Sequence, residues 1–180
     1  ISNEKKLWSG FRENIRRDIR KAEGRFGLQV RTDLSLNDFF RLNMQTFERQ
    51  GKALPYSKAL VDRLDAACKE RSARQVFIAE DKHGCAHAGV YIVWDENSAY
   101  YLMGGGDPEL RRSGATSLCM WEAIKFAGSV SKSFDFEGSM IEPVERFFRA
   151  FGAEQTPYFA LSHTPSKLIR TGQCLRRLLR

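Results

Sequence analysis

Residues Met103–Thr116 read MGGGDPELRRSGAT. A β-rich run, SAYYLMGG, leads into this stretch, and an apolar run leaves it from Gly114. Three consecutive glycines, Gly104, Gly105 and Gly106, let a backbone approach a partner closely. Arg111 and Arg112 add positive charge and forked donors. A helix N-terminus at Gly114 presents unpaired N–H groups and a partial positive charge. Strand, glycine-arginine loop and helix together form a pattern able to cradle a phosphate. The plainer alternative is a long loop punctuated by Gly and Pro, with solvated arginines.

The flanking elements set the context. Upstream, RQVFIAED (Arg74–Asp81), CAHAGVYIVWD (Cys85–Asp95) and SAYYLMGG (Ser98–Gly105) read as strands. The turn signals Lys82-His83-Gly84 and Glu96-Asn97 separate them, which predicts an antiparallel meander. Downstream, residues 114–130 predict a helix that is apolar on most sides, with Leu118, Met120, Trp121, Ile124, Phe126 and Ala127, and hence deeply buried. KSFDFEG (Lys132–Gly138) reads as a strand. Pro143 suits the first turn of a further helix, where a missing N–H costs nothing. Val144, Phe147, Phe148 and Phe151 form its apolar stripe. FGAEQTPYFALSH (Phe151–His163) closes with another predicted strand.

Toward the N-terminus, Trp8, Phe11, Ile15, Ile19 and Ala22 recur at steps of three or four. They predict one basic helix over residues 7–25, ended by Gly24 and Gly27. LQVRT (Leu28–Thr32) reads as a short strand. Ser35 caps a second helix bearing Leu36, Phe39, Phe40, Asn43 and Phe47. Ser57 starts a third, with Leu60, Val61, Leu64, Ala67 and Cys68 expected to face inward. The order is α, β, α, α, β, β, β, loop, α, β, α, β. It predicts an α/β (α+β) fold with a mixed, mainly antiparallel sheet flanked by helices.

The chain has 180 residues, enough for one domain with a sizeable core. Its net charge of +7 suits an anionic partner such as a phosphate, a nucleic acid or a membrane surface. No apolar run approaches the roughly 18 residues of a membrane span. The N-terminus, ISNEKKLW, lacks the apolar core of a signal peptide and an initiator Met, so the expectation is a piece cut from a longer chain. Cys68, Cys85, Cys119 and Cys174 form no C-x-x-C pair. They are expected to be buried singly in a reduced, cytoplasmic protein. His83, His87 and His163 have no ligand-spaced partners, so no metal site is expected.

Asp135 and Glu137 alternate with Phe134 and Phe136. On a strand the two phenylalanines point into packing, and the two carboxylates share the other face, roughly 7 Å apart. Acyl transfer to an amine needs a proton acceptor, and a carboxylate can serve, directly or through water. Solvated carboxylates are the plainer alternative. Tyr100 and Tyr101 precede the glycines, one on each face of their strand. Tyr100 and Ser139 are candidate substrate contacts. Leucines and arginines mix in SKLIRTGQCLRRLLR (Ser166–Arg180), which reads as a basic amphipathic helix for membrane, RNA or a lost domain, or as a helix packed on its own domain.

This order of elements resembles the GNAT fold of the N-acyltransferases. Arg111-Arg112-Ser113-Gly114-Ala115-Thr116 resembles that family's Gln/Arg-x-x-Gly-x-Gly/Ala loop at Arg111 and Gly114, and departs from it at Thr116. The resemblance implies that the diphosphate of acetyl-CoA or another acyl-CoA rests on Gly104–Gly106 and on Arg111, Arg112, Ser113 and Gly114. It implies Asp135 or Glu137 as base and Tyr101 as proton donor to the leaving thiolate. NIRRDIRKAEGRFGLQV (Asn14–Val30) and FDFEGSMIEPVERFFRAFGAEQTPYF (Phe134–Phe159) resemble segments of the Fem-like, peptidoglycan-bridge-type aminoacyltransferases. That subgroup implies aminoacyl-tRNA as an alternative donor and a small-molecule or cell-wall-precursor amine as acceptor. It also implies a second GNAT-like domain, which a homodimer could replace. The expected organisation is a basic helix at 1–26, a GNAT-like domain at 27–163 and a basic tail at 164–180. The expected function is N-acyl transfer; the alternative is a GNAT-like module that binds RNA, anionic lipid or a sister domain without catalysis.

Overall fold

The computed structural model describes residues 1–157, 161 and 163–166. Its elements are α1 (Glu4–Gly10), α2 (Glu13–Gly24), β1 (Gln29–Arg31), α3 (Leu36–Arg49), α4 (Lys58–Glu70), β2 (Arg74–Glu80), β3 (Ala86–Trp94), β4 (Ser98–Gly106), α5 (Ala115–Val130), β5 (Ser133–Asp135) and α6 (Glu142–Ala150), with a 3₁₀ turn at Arg111–Ser113. Five strands form one sheet in the order β1-β2-β3-β4-β5. The first four pair antiparallel, and β5 lies parallel to β4. The mixed sheet expected from the sequence is therefore present.

The two faces carry separate cores. On one, Ile15 and Ile19 of α2, Leu118, Met120 and Ile124 of α5, and Phe148 of α6 close over Phe77, Val90 and Ile92. On the other, Phe39, Phe40 and Leu42 of α3 and Val61 of α4 cover Val76, Ile78 and Tyr91. The helix α5 is buried on most sides, as its composition requires. The N-cap of α3 is a capping box: Ser35 accepts from Asp38 N–H, and Asp38 accepts from Ser35 N–H.

Three expectations need correction. The helix expected over 7–25 is broken. Phe11 is buried at the break, and Arg12 N–H donates to Ala150 O at 2.8 Å, which ties the kink to α6. On α4, Val61 is buried as expected, but Leu60, Leu64 and Ala67 are exposed, and Asp65 is buried in their place. Cys85 is exposed in the β2–β3 turn, while Cys119 is buried. The strand expected over 151–163 and the tail at 164–180 lie in large part outside the described residues. No helix among the described residues is long and apolar enough to cross a membrane.

Candidate active site

Strands β4 and β5 pair at only three positions, ending with Tyr100 opposite Asp135. Beyond that point the outer edge of β4 has no strand beside it. A bulge at the same place sets Ile92 opposite Tyr101 and Tyr91 opposite Met103, leaving Leu102 as the extra residue. Asp107 N–H donates to His87 O, so Asp107, and by alternation Gly105, face β3. Gly104 and Gly106 therefore turn their backbone groups to the open edge.

The helix α3 meets that edge. Asn43 Nδ2 donates to Gly104 O at 2.8 Å. Gly106 N–H donates to Thr46 Oγ1 at 3.0 Å. Tyr56 O–H donates to Asn43 Oδ1 at 2.9 Å, and Asn43 is buried. A Cβ on Gly105 would stand 2.4 Å from Asn43 N and Leu42 C. A Cβ on Gly104 would stand 1.9 Å from the Tyr101 hydroxyl oxygen. The glycine triplet thus belongs to β4 and makes room for α3 and Tyr101. That corrects its sequence assignment to the phosphate loop: no glycine of the three has a left-handed φ, and what they accommodate is protein.

The turn that follows keeps the expected form at one end. Gly114 has φ +87° and caps α5, and a Cβ there would lie 2.2 Å from Asp18 O of α2. Only glycine meets both demands. Arg111 and Arg112 are exposed, and among the described residues neither makes an ion pair. Thr116 is exposed in the first turn of α5. Ser113, by contrast, is buried, and its Oγ accepts from Ala115 N–H at 3.3 Å. It serves the helix start and does not face outward. An anion placed at this turn would meet two exposed guanidiniums and the positive end of α5.

The carboxylates sit as strand alternation requires, up to a point. Phe134 and Phe136 are half-buried, meet edge to face with ring centroids 4.9 Å apart, and pack against the main core. Asp135 is exposed on the opposite face, beside Tyr100. The strand ends there: Glu137 has φ +61°, is exposed, and donates its N–H to Asp135 Oδ1 at 2.7 Å. Ser139 Oγ accepts from Ile141 N–H, closing the next turn. Tyr101 faces the other side of the sheet, against Phe148 at 5.6 Å, and burial pushes its phenol up to about 12. Tyr100 and Asp135 are thus brought together, and Tyr101 is separated from them by the plane of β4. Two cavities, of about 280 Å³ under α3 beside Asp107 and about 330 Å³ between β1 and α5, include neither carboxylate.

Asn43, Thr46 and Tyr56 had no signal in the sequence as site residues. Asn43 read only as one position on an apolar stripe, although a polar residue on such a stripe asks for a buried partner.

The model of the acetyltransferase (GNAT) domain family matches residues 9–138. None of the curated proteins matches the sequence. Among solved structures, FemX superposes with a TM-score of 0.73 at 15% identity, covering 83% of this chain and 56% of FemX. The chain thus spans little more than half the length of that protein. The aminoglycoside 6′-N-acetyltransferase AAC(6′)-Ih of Acinetobacter baumannii superposes with a TM-score of 0.56 at 12% identity, covering 78% of this chain and 99% of the other. A protein of Clostridium acetobutylicum described as a predicted acetyltransferase and solved with acetyl-CoA gives 0.56 at 14%, covering 76% and 96%.

Proposed function

Because the chain belongs to the GNAT acetyltransferase family, we propose that it transfers an acyl or aminoacyl group from an activated, phosphate-bearing donor to a primary amine. The observation that carries this reading is the turn before α5: Gly114 in the left-handed conformation, with Arg111 and Arg112 exposed and without ion-pair partners among the described residues. Such a turn fits the phosphates of acetyl-CoA or another acyl-CoA, or those of an aminoacyl-tRNA. When bound, the donor supplies an activated acyl carbonyl.

The chain's own residues supply binding and proton transfer. Arg111 and Arg112 hold the phosphates. Asp135, exposed at the parting of β4 and β5, accepts the proton that the amine loses as its nitrogen bonds the carbonyl carbon. Glu137, next along the turn, is the second candidate for that role. Burial keeps the Tyr101 phenol protonated, but it lies across the plane of β4 from Asp135, so the leaving sulfur or oxygen takes its proton from solvent as the acyl bond breaks. The free cysteines suit a reducing, cytoplasmic setting.

Calorimetric titration with acetyl-CoA, CoA and an aminoacyl-tRNA tests the donor. Replacing both Arg111 and Arg112 by Ala is expected to weaken the donor that binds by about 1.5–3 kcal/mol per lost charged hydrogen bond. Unchanged affinity removes this turn from the site. Asp135→Asn is expected to lower turnover about 10²–10⁴-fold with donor affinity kept. Wild-type turnover in both Asp135→Asn and Glu137→Gln would leave the amine to lose its proton to water.

A further inference from the structure

A donor of this kind has two ends. The phosphates need an anion site. The arm of an acyl-CoA carries amides, and an extended chain with amides is commonly held by adding itself to a free strand edge. Beyond Tyr100, the outer edge of β4 is such an edge by topology, since β5 no longer accompanies it. Its outward groups belong to Gly104 and Gly106, directly upstream of the arginine turn.

Two of those groups, Gly104 O and Gly106 N–H, are taken. Asn43 holds Gly104 O, Thr46 holds Gly106 N–H, and Tyr56 holds Asn43 in turn. The Thr46 hydroxyl also reaches Leu42 O at 3.2 Å and Gly106 O at 3.5 Å. The spacing is matched: Asn43 and Thr46 lie three apart on α3 and so share a face, and Gly104 and Gly106 lie two apart on β4 and so face the same edge. Gly105, between them, seats the α3 backbone, so the helix cannot be a loosely docked neighbour.

We infer that α3 closes the edge of β4 to the donor's arm. Asn43 and Thr46 set donor specificity by occupying the strand positions that an acyl-CoA arm would pair with. The donor is then recognised at its phosphate end alone. This rests on the reading of Arg111–Gly114 as the phosphate site. Two open strand-type hydrogen bonds would be worth about five- to a hundredfold in affinity. With the edge closed that gain is forfeited.

The test compares CoA with the arm-less nucleotide adenosine 3′-phosphate 5′-diphosphate, titrated into the full 180-residue chain. Affinities within about threefold of each other are expected in the unaltered protein. The Gly106 amide, followed by NMR hydrogen exchange, is expected to be protected without ligand and unchanged by CoA. Thr46→Ala frees the edge at Gly106. It should speed exchange of that amide and tighten CoA selectively, by about fivefold over the arm-less nucleotide. Thr46→Ser keeps the hydroxyl and should behave as the unaltered protein. CoA binding tenfold or more tighter than the nucleotide before any substitution would overturn the inference and leave the phosphate site standing. Thr46→Ala that folds without any selective gain for CoA would also overturn it. Binding of neither nucleotide would instead remove the phosphate site, and this inference with it.

Discussion

A methyl group on Gly105 has nowhere to go. The atoms it would meet are Asn43 N and Leu42 C at 2.4 Å, main-chain atoms in the middle of α3, which cannot swing aside as a side chain would. Gly105→Ala is therefore expected to cost about 1–3 kcal/mol or more, read from urea denaturation. Gly106→Ala is the control: its nearest neighbour is His87 O at 3.3 Å, so the loss should be well under that of Gly105→Ala. The triplet was visible in the sequence, but the reason for it was not. The partner that demands Gly105 lies some sixty residues upstream, and local pattern offers no sign of it. Gly114 was legible because its demand is partly local, a left-handed helix start. Tyr101 adds a pH dependence at the same scale. Burial raises its phenol to about 12, above the ordinary value of about 10. The unfolded chain therefore loses this proton first. The stability it contributes is full below about pH 10 and falls as pH rises toward about 12. Unfolding midpoints at about pH 9 and pH 11.5 should differ less in Tyr101→Phe than in the parent. An equal drop in both would assign the alkaline loss to other groups.

Among the elements, α4 shows how a correct helix can be given too wide an inward face. Its sequence holds two adjacent stripes, Leu60-Leu64-Ala67 and Val61-Asp65-Cys68. Hydrophobicity alone favours the first. The sheet takes the second, because Asp65 is satisfied there: Tyr91 O–H donates to its Oδ1 at 3.1 Å, and Arg74 donates to its Oδ2 at 3.2 Å. A buried carboxylate with a phenol and a guanidinium on it is affordable inside, and no periodicity announces those partners. Leu64→Lys should therefore leave stability within about 0.5 kcal/mol, whereas Val61→Ala should lose roughly 1–3 kcal/mol, compared by denaturant midpoints. The start of α3 was readable to the residue, since Ser35 and Asp38 stand at capping-box spacing. Ser35→Ala should cost about 0.5–2 kcal/mol in the same measurement. The meander, α5 and α6 were legible for a similar reason: their signals are alternation, turn residues and helical period, all local. The break at Phe11–Arg12 was not, because α6 imposes it through Ala150 O.

At the scale of the molecule, the +7 charge is not spread evenly over the paired groups. On α2, Glu13 takes Arg16 and Arg20, and Asp18 takes Lys21. Arg17 is exposed and, among the described residues, makes no ion pair. Its neighbour in sequence, Asp18, has its carbonyl oxygen against Gly114, at the head of α5. Folding therefore brings Arg17 toward the turn that carries Arg111 and Arg112, from the opposite half of the chain. The sequence showed a basic helix and a basic loop; the packing of α2 against α5 and the Arg111–Ser113 turn is what brings the two elements together. A cation there acts on an anionic donor without touching it. For two unit charges about 10 Å apart in water the interaction is about 0.4 kcal/mol, so reversing one changes it by about 0.8 kcal/mol, or about fourfold in affinity. Arg17→Glu should thus weaken binding of a phosphate-bearing donor by about fourfold at low salt, and the difference should shrink as ionic strength approaches about 1 M, where screening reaches about 3 Å. Its unfolding midpoint should stay within about 0.5 kcal/mol of the parent, as expected for a surface site. Calorimetric titration at two salt concentrations reads both effects. A salt-independent loss would mean that Arg17 contacts the donor directly, and no loss at all would confine the anion site to the turn before α5.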